Sequence, residues 1–235
     1  MFRSVVTGAS SGIGRATALL MAAAGHELVL ISRRESILEE IAQRCESLGS
    51  PSATVVAGDV SDPETAERVK QAVGKSDDSE IVLINNAASA AFGPFHELPV
   101  EGACDMIDVG MKGGFLMTHA LLPAMLDQGR GTVINVLSIA ATQPIPGAAA
   151  YCAMKAGMLA FSRTLALEYR RKGVRVGSIL PGSTDTAIWD GMSDHPPRED
   201  MLQPEAVAEM ILQMVSAPRD RSLDEVVLTP PKGFL

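Results

Sequence analysis

The stretch "RSVVTGASSGIG", residues 3–14, ends an apolar run in three glycines, at 8, 12 and 14, with small hydroxyl residues between them. A helical pattern, "RATALLMAAAG", follows at once. Strand, glycine-rich turn and helix in direct succession is the reading. A tight turn needs backbone angles that side chains resist, and close approach of a ligand to the main chain needs a missing Cβ. The helix start offers free N–H groups and the positive end of its dipole. A phosphate or pyrophosphate is the expected guest. The alternative is a tight connection with no ligand.

The unit recurs along the chain. Short apolar or β-branched runs at 2–6, 27–31, 53–57, 81–84, 132–137, 174–179 and 225–228 read as strands. Helical patterns occupy 12–24, 35–48, 63–73, 99–128, 149–172 and 204–216. Runs such as "SVV" and "IVLI" are continuously apolar, which suits a parallel sheet covered on both faces. Strands alternating with helices imply right-handed crossovers. The expected fold is α/β, a Rossmann-type, doubly wound, mostly parallel seven-stranded sheet in a single domain over residues 1–235. The 99–128 pattern contains Gly102, Gly110, Gly113, Gly114 and Pro123, so a kinked or broken helix is expected. Residues 181–204 lack periodicity and read as a long exposed loop, expected to act as a substrate lid.

Bulk composition narrows the function. Net charge is −8, which argues against nucleic acid as the main partner. No apolar run approaches the ~20 residues of a membrane span, and no signal peptide is evident, so a cytoplasmic protein is expected. Cys45, Cys104 and Cys152 form no CxxC pair and read as buried free thiols. The four histidines have no metal-ligand spacing, and no metal is expected. No Gly-Lys-Ser/Thr follows the glycine turn, which excludes a P-loop nucleotidase.

"YCAMK" places Tyr151 and Lys155 four apart on a helix, hence on one face. Ser138 closes the strand "TVINVLS", and active sites of open α/β sheets form at the carboxyl ends of strands. A nearby ammonium favours a phenolate, so Lys155 is expected to lower the Tyr151 pKa from its usual value of about 10. Together with the GxxxGxG spacing of 8–14, "NNA" at 85–87 and "PGSTDT" at 181–186, these residues resemble the short-chain dehydrogenase/reductase family from Val5 to Ile188.

The resemblance implies an oxidoreductase that interconverts a ketone or aldehyde with an alcohol by hydride transfer. It implies Ser138, Tyr151 and Lys155 as catalytic residues. Tyr151 would be the general acid or base, Ser138 would hydrogen-bond the substrate oxygen, and Lys155 would also hold the nicotinamide ribose. It implies a nicotinamide dinucleotide against Gly8, Ser10, Gly12, Ile13, Gly14, Ser32, Arg33, Asp59, Val60, Asn86, Ala87, Ala88, Tyr151, Lys155, Pro181, Gly182, Thr184 and Thr186. Asp59 would accept from the adenine amino group and Val60 would pack on the ring. The second strand ends in Ser32, Arg33 and Arg34 with no acid before Glu35. A guanidinium pairs with a 2′-phosphate, so NADP(H) is expected over NAD(H). Ile188, Trp189, Met192, Phe92, Phe95 and Ile145 are expected to form an apolar pocket for a small, apolar carbonyl or alcohol. A homodimer or homotetramer is implied, with 99–128 and 149–172 supplying one interface.

Three features depart from the family pattern. Ala88 stands where glycine is usual. Gly110 stands where an asparagine is usual, and Gly110→Asn is expected to preserve or raise turnover. The last strand is followed by "TPPKGFL" without the usual "DGG". Ala88 and Gly110 leave an alternative reading, a nucleotide-binding regulatory or scaffold protein with weak or no catalysis, and the altered C-terminus bears on a second interface.

Overall fold

The apolar runs pair side by side in one sheet. The strands are β1 Phe2–Thr7, β2 Glu27–Ser32, β3 Ala53–Ala57, β4 Glu80–Asn85, β5 Gly131–Val136, β6 Val174–Pro181 and β7 Glu225–Leu228. Their order is β3-β2-β1-β4-β5-β6-β7, and every pairing is parallel. The expected fold class is thus present, with a wholly parallel sheet. A computed structural model describes residues 1–74, 78–190 and 195–233 of the chain.

The helices are α1 Gly12–Ala23, α2 Glu35–Leu48, α3 Pro63–Val73, α4 Val100–Ile107, α5 Gly113–Asp127, α6 Ala149–Tyr169 and α7 Pro204–Ser216. Side chains alternate across a strand, so each strand feeds both faces. Val6, Leu28, Leu30, Val82, Ile84, Ile134 and Ile179 pack against α1, α2 and α7. Val5, Val29, Ile31, Leu83, Val133 and Val176 pack against α3, α5 and α6. Each such side chain contributes about 1.5–3 kcal/mol when fully buried, which holds both helical layers on the sheet. Among the described residues no helix is long and apolar enough to cross a membrane.

The 99–128 pattern is broken at the glycines. α4 passes into a π turn at Asp108–Lys112, and α5 resumes at Gly113 and runs through Pro123. The 149–172 pattern ends in a single 3-10 turn at Arg170–Lys172. Of the three cysteines, Cys45 is buried, Cys152 half-buried and Cys104 exposed. The expectation of three buried thiols therefore holds for Cys45 alone, because Cys104 lies on the outer side of α4. His26 is buried beneath Phe2, its ring 4.8 Å away, with Nδ1 2.8 Å from the Ser4 hydroxyl. Burial pushes its pKa down to about 4, so it stays neutral at physiological pH.

The strand order reverses between β1 and β4. Crevices at such a switch point open at the carboxyl ends of the strands. Thr7 fastens that point: its hydroxyl donates to the Ile84 carbonyl and accepts from the Asn86 and Ala87 N–H groups.

Candidate active site

The glycine turn sits at the carboxyl end of β1. Gly8 and Gly12 have φ of 67° and 52°, the left-handed region that favours glycine. Gly14 lies in the first turn of α1, where a Cβ would run into the Gly8 carbonyl oxygen and lie 2.5 Å from Asn86 Nδ2. The turn is thus a cradle shaped by missing side chains. No side chain caps the start of α1, so its first N–H groups are open to an anionic guest. The groups present fit a pyrophosphate. Ile13 is half-buried in the first turn of α1 and Ser10 is buried beside the cradle. Asn86 belongs to the turn's framework: its Nδ2 donates to the Thr7 carbonyl at 2.9 Å. Ala87 is half-buried and Ala88 exposed, so the extra methyl of Ala88 meets no crowding within the chain.

Two arginines follow β2, with different engagements. Arg33 is largely exposed and approaches Asp59 Oδ2 at 4.0 Å. Arg34 reaches back over the glycine turn. It donates to the Ser10 hydroxyl through Nε and Nη2, at 3.2 and 2.8 Å, and to the Ser11 hydroxyl at 2.9 Å. Ser32 accepts from the Arg34 N–H at 3.2 Å. Burial works to raise the Asp59 pKa, yet Ser61 hydrogen bonds and the charges of Arg33 and Lys112 hold it below the usual value. Val60 is buried, and its side chain fills the place a Cβ would take at Gly113. Its side chain packs between α5 and the core at the base of the crevice.

Ser138, Tyr151 and Lys155 converge at the carboxyl end of β5. Ser138 is extended, and its Oγ accepts from the Ala140 N–H at 3.1 Å as the chain enters the 3-10 turn Ile139–Ala141. Lys155 is buried and donates to the Val136 carbonyl at 2.9 Å, with Nζ 5.6 Å from the Tyr151 ring centre. Burial pushes Tyr151 up to about 12, a rise opposed by the Ser138 hydroxyl, and pushes Lys155 down to about 8. The expected lowering of the tyrosine pKa is reversed in the free protein. Burial desolvates the phenolate, and in the free protein the Lys155 ammonium is directed at the Val136 carbonyl.

The described residues of 181–204 are more ordered than a long exposed loop. Pro181, Ser183 and Thr184 are buried, and Thr184 pairs with Leu202 as a parallel bridge. Arg198 ties Asp185 and Asp190 together at 2.6 Å each. Gly182 hydrogen-bonds the Leu228 carbonyl at 2.8 Å. Thr186 Cγ2 lies 3.1 Å from the place of a Cβ at Gly12, so this segment reaches the glycine turn. Trp189 stacks on Phe92, and Phe92 lies against Tyr151. Phe95 is 62% exposed and Ile145 38%, so neither is a buried wall of the expected pocket. Met192 lies outside the described residues.

A sequence model of the family described as "short chain dehydrogenase" matches residues 3–196. The chain belongs to the short-chain dehydrogenase family. Over 227 residues it is 34% identical to an uncharacterized oxidoreductase of Staphylococcus epidermidis, covering 97% of this chain and 96% of that protein. It is similar in structure to an alcohol dehydrogenase from the archaeon Thermococcus sibiricus complexed with 5-hydroxy-NADP. That match has a TM-score of 0.87 at 29% identity and covers 97% of this chain and 96% of the other. A metagenomic short-chain oxidoreductase in complex with NADP matches with a TM-score of 0.82 at 29% identity over 97% and 96% of the two chains.

Against the short-chain dehydrogenase pattern, Gly110 has a physical reason. It lies in the π turn, and a Cβ there would come within 2.6 Å of Met154 Sδ and 2.9 Å of its Cε. Met154 is buried on α6 directly before Lys155. Asparagine at 110 would require the flexible end of Met154 to move aside, a stability effect separate from the preserved or raised turnover expected of Gly110→Asn. Overpacking of this kind costs about 1–3 kcal/mol. Urea unfolding of Gly110→Asn is expected to show that loss, and Met154→Ala in the same chain to recover part of it. Additive losses in the double variant would show that the two positions do not share space.

Sequence reasoning missed one buried polar chain. Asn85 Nδ2 donates to Thr118 Oγ1 and Asn135 Oδ1, and Asn135 Nδ2 donates to Ser162 Oγ at 2.7 Å. It links β4, β5, α5 and α6 beneath the site. Its signal was an asparagine within each of two apolar strands.

Proposed function

We propose that the protein is an NADP(H)-dependent oxidoreductase that interconverts a small carbonyl compound and its alcohol. The observation that carries this reading is the convergence of Ser138, Tyr151 and Lys155 at the strand ends, beside an uncapped helix start with a glycine cradle. NADP-complexed structural relatives support the choice of cofactor. Gly8, Gly12, Gly14 and the first turn of α1 would hold the pyrophosphate, Asp59 the adenine side, and Thr184 and Thr186 the nicotinamide side. When bound, NADPH supplies a hydride to the carbonyl carbon.

The chain's own residues then handle the oxygen. Ser138 donates a hydrogen bond to it and polarises the C=O bond. Tyr151, protonated at neutral pH, transfers its proton to that oxygen, which leaves a phenolate. The Lys155 ammonium is the nearby charge that stabilises the phenolate. In oxidation the same groups run in reverse. A lid role for 181–204 belongs to this reading, as does self-association through the outer surface of α5 and α6. On those helices Phe115 and Phe161 pair at 4.4 Å, and Phe115 and Leu167 are exposed.

Arg34 is assigned the 2′-phosphate, because its guanidinium is already aimed across Ser10 and Ser11. Hydrogen bonds to charged groups contribute about 1.5–3 kcal/mol. Arg34→Ala is therefore expected to weaken NADPH binding about 10–100-fold and leave NADH binding nearly unchanged, measured by titration calorimetry. An equal loss for both cofactors would remove Arg34 from the discrimination. Tighter binding of NADH than NADPH by the unaltered protein would overturn the cofactor choice. NADPH binding without turnover of any carbonyl would favour the regulatory reading.

A further inference from the structure

Three rings follow one another at the mouth of the site. The Phe92 ring lies 5.5 Å from that of Tyr151, tilted by 51°. The Trp189 ring lies 6.1 Å from that of Phe92, with the two planes within 3° of parallel. Phe92 comes from the connection after β4 and Trp189 from the segment after β6, so two remote parts of the chain build one wall. Both rings are only half-buried.

Each ring has its own anchor. On either side of Phe92, the Ala91 N–H points at Met106 Sδ, 3.2 Å away, and the Gly93 N–H donates to the Gly147 carbonyl at 2.8 Å. Trp189 Nε1 donates to the Thr184 carbonyl at 2.9 Å, and the turn that carries it is held by Arg198 between Asp185 and Asp190. The wall is ordered before any ligand arrives, which removes the cost of fixing two large side chains on binding. Aromatic faces favour a flat ring over an aliphatic group of equal area, through offset or edge-to-face contact. Arg198, the arginine of this segment, is engaged by two carboxylates, Asp185 and Asp190, and the His195 ring lies 6.3 Å from that of Trp189.

We propose that Phe92 and Trp189 form a subsite for a neutral aromatic ring attached to the reacting carbonyl. The preferred substrate class is then aryl ketones and aldehydes, with the carbonyl directed at the Tyr151 hydroxyl. The proposal rests on the reading of Tyr151 as the proton donor, and its test separates the two.

Acetophenone and cyclohexyl methyl ketone are compared with NADPH in the unaltered protein, in Phe92→Leu and in Trp189→Leu. Conjugation alters the intrinsic reactivity of the aryl ketone equally in all three, so the quantity read is the change in the kcat/KM ratio. Each variant is expected to lower the aryl preference at least about 5-fold, in line with the loss of one aromatic contact. NADPH affinity should stay unchanged, which also shows that the variants fold. Turnover that vanishes in Tyr151→Phe with a ratio unmoved in both leucine variants would overturn the subsite and leave the reductase standing.

Absence of turnover with either ketone would count against the reductase instead, and binding would then decide the subsite. Trp189 is the only tryptophan in the chain, so its emission reports on this wall alone. In Tyr151→Phe with NADP⁺, 1-phenylethanol is expected to saturate the Trp189 signal at a concentration at least about 5-fold below 1-cyclohexylethanol. The added change Phe92→Leu should narrow that gap. Equal saturation by the two alcohols would overturn the aromatic subsite.

Discussion

Tyr151→Phe is expected to lower carbonyl reduction by about 10²–10⁴, the usual contribution of a positioned proton donor. The substitution isolates one oxygen atom. The ring that packs beside Phe92 and against α4 remains, so folding and NADPH affinity should hold. The loss should appear in kcat, because the proton moves only in the transition state. At pH 7 the unaltered tyrosine carries its proton, since burial places its pKa at about 12. Reduction therefore begins from the correct protonation state, and oxidation begins from the wrong one. Alcohol oxidation should accordingly rise with pH above neutrality while reduction does not. A kcat within 10-fold of the unaltered protein in Tyr151→Phe would show that another group, or water, delivers the proton.

The second large effect is expected at Gly14. A methyl group there meets the Gly8 carbonyl oxygen and the Asn86 amide, and neither can give way. Gly8 belongs to the turn itself, and Asn86 Nδ2 is already bonded to the Thr7 carbonyl. Helix α1 would have to lift from the end of β1 and carry its N–H groups away from the cradle. Overpacking against main chain costs about 1–3 kcal/mol, or roughly 2–12 °C in Tm for a chain of this size. NADPH affinity should fall at least about 100-fold, because the phosphate ligands are the displaced N–H groups. Gly102→Ala is the matched control: this helical glycine has open space around the added carbon. Unchanged NADPH affinity in Gly14→Ala would refute the cradle as the phosphate site.

The parts of the fold that could be read from sequence are those encoded by neighbours. Continuous apolar runs marked the strands because both faces of this sheet are covered, and the GxxxGxG spacing marked the turn because left-handed angles exclude most residues. The pairing of Tyr151 with Lys155 followed from helical spacing alone. What escaped depends on residues distant in the chain. Gly110 looked like a loss until Met154, from another helix, occupied its space. The sequence reading placed Arg33 at the cofactor, and that Arg34 is the one reaching over Ser10 and Ser11 depends on how the chain enters α2. Residues 181–204 looked loose because the order of the described ones comes from Thr184 meeting Leu202 and Arg198 meeting two acids. The direction of the Tyr151 pKa was misjudged because it depends on depth of burial, which spacing does not record.

The order of the strands also governs how the chain can be assembled. β1 has two neighbours: β2 begins 20 residues after it ends, but β4 begins only at Glu80. A chain emerging from its amino end can close the first pairing early and must leave the other edge of β1 unsatisfied until β4 appears. That edge carries the unpaired main-chain groups of β1, the kind of surface that recruits foreign strands. The switch point that shapes the crevice of the finished protein is thus the last seam of its amino-terminal half to be sealed, and the interval before sealing is when the nascent chain is most exposed to aggregation.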